Sequence, residues 1–137
     1  MQNSSVRIIL DTNLWISFLI KKDFSKLDHL LFAEHIKIIF SQELLEEFLS
    51  VARRPKFRKY FSPTDLEDIL ETIEEYAEFV DVKTNITTCR DQKDNFLLAL
   101  AADSKATYLI TGDSDLLILK AQGETSIITI TDLFDRI

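Results

Sequence analysis

Acidic side chains recur in this chain where an apolar run ends or a helix begins. Asp11 closes Val6-Arg7-Ile8-Ile9-Leu10, Glu46 and Glu47 follow Ile36–Phe40, Asp94 opens an alanine-rich helix, and Asp113 and Asp115 follow Tyr108–Ile110. A carboxylate at the C-terminal end of a buried strand sits where open α/β sheets carry their chemistry. Several carboxylates on one sheet edge repel each other unless a cation lies among them. The pattern therefore implies a divalent-metal site, and hydrolysis of a phosphodiester is the chemistry such a site would serve.

Each position also has a plainer reading. Asp11 fits as the N-cap of a helix entering at Leu14, although Thr12 or Asn13 would serve equally. Asp91 and Asp94 resemble a cap and its N3 partner, and Gly112-Asp113-Ser114-Asp115 resembles a capping turn. Glu47 shares a helical face with Leu44, Phe48 and Val51, whereas Glu46 lies about 100° away. A carboxylate on the apolar side is costly unless paired or metal-bound, which favours Glu47 and leaves Glu46 as the open alternative.

The elements that must position these groups follow from hydrophobic periodicity. Val6–Leu10, Ile36–Phe40, 107–110 and 126–130 read as strands, with a short fifth at 79–82. Helices are expected over 14–20, 25–34, a segment capped by Ser41, a segment starting at Ser62-Pro63, 91–104, 114–120 and 131–137. Strands alternating with helices predict a three-layer α/β/α sandwich around a central parallel sheet of four to five strands. The length of 137 residues predicts one domain, residues 1–137, able to bury roughly 65–70% of its unfolded surface.

Composition removes several function classes. With only Gly112 and Gly123, neither a dinucleotide fingerprint nor a Walker A loop can be written. Cys89 is alone, so no internal disulfide is expected and a reducing cytoplasm is the natural setting. No run of 18 uncharged apolar residues exists, so no membrane span is expected. The net charge of −7 argues against nucleic acid at first sight, yet residues 65–78 alone hold seven acids. Arg53, Arg54, Lys56, Arg58 and Lys59 form an opposing basic cluster beside Phe57 and Tyr60. That segment suits RNA phosphates and unpaired bases, or else a solvated charged loop.

Rival carboxylate chemistries fit poorly. A phosphoaspartate hydrolase needs a second Asp two positions after the nucleophile, where Asn13 stands. A receiver domain needs an acidic pair before its phosphoacceptor strand and a Lys after its last strand, and neither is present. His29 and His35 lie on or beside a helix, near no Ser in a strand-turn-helix elbow.

The four segments together resemble the PIN-domain family, and within it the small prokaryotic toxin components of toxin–antitoxin systems. Leu10-Asp11-Thr12-Asn13 is similar to the opening motif, and Ser41-Gln42-Glu43-Leu44-Leu45-Glu46-Glu47-Phe48 to the Glu-bearing helix, with Arg54-Pro55-Lys56-Phe57 after it. The stretch from Asp91 through Asp94 to Ala101 resembles the third motif, and Leu109-Ile110-Thr111-Gly112-Asp113-Ser114-Asp115 the fourth. The resemblance implies a Mg²⁺- or Mn²⁺-dependent ribonuclease with Asp11, Glu47, Asp94 and Asp113 as metal-binding carboxylates. It implies Asn13 and Thr111 as supporting polar groups and Asp115 as an auxiliary ligand. A single-stranded RNA substrate, a small antitoxin protein and a homodimer are the partners expected, and no membrane. Whether one or two ions bind stays open. The alternatives are a catalytically silent binding module and a metal-dependent DNA nuclease, the compact length without a helical arch favouring RNA over DNA.

Overall fold

The apolar run Val6–Leu10 forms strand β1 at the centre of a sheet in the computed structural model, which describes residues 6–22, 24–85 and 94–137. Ile8, Ile9 and Leu10 are all fully buried, although neighbours in a strand point to opposite faces. Both faces of the sheet are therefore covered, as parallel strands require.

The other strands are β2 (Ile36–Phe40), β3 (Glu78–Phe79), β4 (Tyr108–Ile110), β5 (Ala121–Gln122) and β6 (Thr125–Ile128). Their spatial order is β3-β2-β1-β4-β6-β5, parallel except for the β5–β6 pair. The sheet thus has six strands rather than the four to five expected. The additional β5 is too short to show a period, and it pairs back through Gly123, whose φ of +58° costs a glycine little. The short strand expected at 79–82 begins instead at Glu78, where register with Ile39 sets it.

The helices are α1 (Thr12–Lys21), α2 (Phe24–Phe32), α3 (Gln42–Ala52), α4 (Pro63–Tyr76), α5 (Asn95–Ser104), α6 (Ser114–Leu117) and α7 (Ile130–Arg136), with a 3-10 turn at Pro55–Phe57. Local chemistry fixes their starts. Ser41 caps α3 by accepting from the Leu44 N–H, and Ser62 and Asp65 form a reciprocal capping box ahead of Pro63 in α4. None of the described helices is long and apolar enough to cross a membrane. Asp91 and Cys89 lie outside the described residues, and the helix expected over 91–104 is observed as α5, Asn95–Ser104, with Asp94 at its N-cap.

Trp15 of α1 packs on Phe40 at 5.3 Å and on Phe48 of α3 at 6.0 Å between ring centroids. This wedge locks α1 against α3 beneath the sheet edge where the acidic groups stand. At the opposite side of β1, Arg7 reaches across β2 to Glu78, donating at 2.8 Å to each carboxylate oxygen. Glu78 therefore belongs to the sheet, not to the acidic helix that its sequence neighbours form.

Candidate active site

The strand order reverses direction at β1, whose two neighbours are β2 and β4. The crevice beyond the C-terminal ends of strands at such a switch point is where open α/β sheets bind ligands. Leu10 pairs with Ile110, so the next residues on each chain, Asp11 and Thr111, come side by side. The Asp11 N–H donates to Ile110 O at 3.1 Å, and Thr111 N–H to Ile128 O at 3.0 Å. Backbone bonds thus hold both residues before either side chain is considered.

Asp11 is 6% exposed, and both of its carboxylate oxygens are engaged. One caps α1 by accepting from the Leu14 N–H at 2.9 Å, and the other accepts from the hydroxyl of Thr111. Thr111 in turn accepts from the Asp113 N–H at 3.0 Å, so a single buried hydroxyl joins the ends of β1 and α6. Burial pushes the Asp11 carboxyl above the usual carboxylate range, opposed by the Thr111 and Leu14 bonds, while the Asp113 charge raises it further.

Glu47 lies on the second turn of α3, half-buried, and accepts from the Thr12 hydroxyl at 2.6 Å. Glu46 points to solvent and takes a bond from Gln42 one turn earlier. Thr12, adjacent to Asp11, is itself buried, so Glu47 is tied to the segment that carries Asp11. In the sequence Thr12 reads only as an alternative helix cap. Its partner stands 35 residues away, and no local pattern in the sequence points to it.

The remaining positions divide by element. Asp94 occupies the N-cap position of α5 without a capping bond from its side chain, and one of its carboxylate oxygens is fully buried. Asp113 caps α6 by accepting from the Asp115 N–H at 2.9 Å, so the capping turn expected of Gly112–Asp115 forms there. Asn13 is exposed in the first turn of α1. Arg53, Arg54, Lys56, Arg58 and Lys59 are exposed around the end of α3 and the 3-10 turn, away from the strand ends that carry Asp11 and Thr111.

A PIN domain model matches residues 7–115, from the second residue of β1 through the first turn of α6. The chain belongs to the PIN domain family. This is a nuclease-type fold, generally metal-dependent, and the match spans the edge that carries Asp11, Thr111 and Asp113. An uncharacterized protein of Methanocaldococcus jannaschii is 32% identical over 127 residues, covering 90% of this chain and 81% of that protein.

The donors of this PIN domain suit a hard cation. They are carboxylate and hydroxyl oxygens, and buried Asp11 has a second negative group as its charged neighbour. Among the described residues, no three acidic, His or Cys side chains stand ready as a coordination sphere. Asp11 accepts from Thr111 and Leu14, Glu47 from Thr12 and Asp113 from Asp115.

Proposed function

We propose that this PIN domain is a Mg²⁺- or Mn²⁺-dependent ribonuclease that hydrolyses phosphodiester bonds of single-stranded RNA. The observation that carries the reading is the Asp11–Thr111–Asp113 linkage at the sheet's switch point, in a chain of a nuclease-type family. Asp11, Glu47, Asp94 and Asp113 would hold the ion, with Asp115 as an auxiliary ligand and Asn13 and Thr111 in support. When bound, the ion supplies a more acidic water and offsets charge developing on the phosphate.

The chain's own residues set the geometry. Asp11 is fixed by its strand end, its cap bond and Thr111, which suits it to a central role. Thr12 restricts Glu47 to the same edge. A carboxylate of this set takes the proton of the attacking water. The basic cluster Arg53, Arg54, Lys56, Arg58 and Lys59 holds substrate phosphates, in a chain whose net charge is −7.

A cytoplasmic toxin paired with a small antitoxin protein is the cellular role that the motif resemblance supports, with a homodimer as its assembly. The deciding experiment incubates purified protein with labelled single-stranded RNA and single-stranded DNA, in Mn²⁺ and in EDTA, beside Asp11→Asn. Metal-dependent cleavage of RNA that Asp11→Asn lacks supports the reading. Cleavage of DNA alone moves it to the DNA nuclease alternative. Loss of both, with metal binding retained, moves it to a binding module.

A further inference from the structure

A hollow lies among the described residues at the end of α3. It has a volume of about 360 Å³ and lies between the C-terminus of α3, the 3-10 turn and the first two turns of α4. Ala52, Phe61, Leu66 and Leu70 give it an apolar floor, and Arg53 and Arg58 stand at its exposed side. Among the described residues neither guanidinium makes an ion pair. Two cations beside an apolar floor match a ligand with a planar, apolar-faced ring joined to anionic groups.

The walls are built before any ligand arrives. Phe57 and Phe61 both receive or give backbone bonds within a run of turns from Arg54 to Phe61, and their rings stack at 6.0 Å with 17° between planes. The Ser62–Asp65 capping box then pins the first turn of α4. A volume near the lower end of the ligand-pocket range, roughly 300–1,000 Å³, suits one heterocycle rather than a peptide.

One helix, α3, carries Glu47 and ends at the hollow. Arg53 follows Glu47 by six residues on one continuous helix, about 9 Å along its axis. We infer that this hollow receives an unpaired nucleobase of the substrate strand, with Arg53 and Arg58 holding the flanking phosphates. Bases of single-stranded RNA are recognised in this manner, splayed from the backbone against an apolar or aromatic surface. The Glu67 carboxylate on the same wall accepts from a base N–H and so discriminates among bases.

This subsite rests on the ribonuclease reading for its strand but not for its ligand chemistry, and the test separates the two. Methyl-labelled Asp11→Asn protein is titrated with the four nucleoside 5′-monophosphates and with ribose 5-phosphate, which lacks a base. The expected result is a shift of the Leu66 and Leu70 methyls by nucleotides, with ribose 5-phosphate at least tenfold weaker. Leu70→Trp, which fills the hollow, abolishes the shift at Leu66 while the melting temperature holds. Arg58→Gln weakens nucleotide binding severalfold as a second variant. Equal binding of ribose 5-phosphate, or shifts confined to the strand-end residues, overturns the proposal. Methyl shifts in a protein whose wild type cleaves no RNA keep the pocket and remove the ribonuclease. Cleavage by the wild type without methyl shifts does the reverse.

Discussion

The hydroxyl of Thr12 donates to Glu47 across 2.6 Å, joining the first turn of α1 to the second turn of α3. Because Asp11 precedes Thr12 and caps the same helix, this bond sets the spacing between two of the carboxylates assigned to the ion. Thr12→Val keeps the shape and removes the bond. Its stability cost is expected at about 1 kcal/mol, while cleavage falls between about tenfold and a hundredfold through misplacement of Glu47. Thr12→Ser restores both. An unchanged kcat in Thr12→Val would show that Glu47 needs no such positioning.

Glu47 and Glu46 differ in the direction that α3 gives them, inward to Thr12 or outward to Gln42. Glu47→Gln should abolish metal-dependent cleavage and Glu46→Gln should leave most of it. The opposite pattern, measured on one RNA at one Mn²⁺ concentration, would transfer the role to Glu46.

Metal binding should stabilise the fold, since Asp11 is buried beside a second negative group. Ion at about 100 times its dissociation constant adds about 2.7 kcal/mol. A melting curve identical in EDTA and in millimolar Mn²⁺ would remove the metal from the mechanism.

Burial raises the Asp11 carboxyl above its ordinary value, so the folded protein holds that proton more tightly than the unfolded chain. The ionised form is therefore a penalty at neutral pH, and it is relieved as pH falls through the raised folded value. Asp11→Asn keeps a capping oxygen for Leu14 and carries no charge. In EDTA at neutral pH its melting temperature should equal or exceed that of the wild type, and Mn²⁺ should no longer raise it. A full Mn²⁺ response in Asp11→Asn would reduce Asp11 to a helix cap.

The bidentate bond from Arg7 holds the Glu78 carboxyl below its usual range, with the charge of Arg7 adding to it. A depressed carboxyl contributes stability above its unfolded value and loses it as pH falls through the folded one. Glu78 is 40% exposed in its side chain, so solvent screening limits the pair to about 1 kcal/mol. Glu78→Gln should therefore be less stable at neutral pH and match the wild type once the medium is well below about pH 4. A difference that persists there would be packing, not charge.

The acidic positions and most of the elements that carry them were legible in the sequence, because they depend on local order. Strands β1 and β2 are apolar runs, Ser41 and Ser62 are cap residues, and the side of α3 that Glu47 takes follows from a period near 3.6. Two-residue strands such as β3 and β5 escaped that reading in length or altogether, since their pairing partners and not their own residues define them. Tertiary structure decided what lies next to what. The pairing of Leu10 with Ile110 brings Asp11 to Thr111 across 100 residues, and α1 against α3 gives Glu47 its Thr12. The same packing draws Glu78 out of an acidic run to meet Arg7, and turns a charged loop after α3 into the wall of a hollow. Such contacts are set by strand register and helix packing summed over the whole core, which no local window of the chain contains.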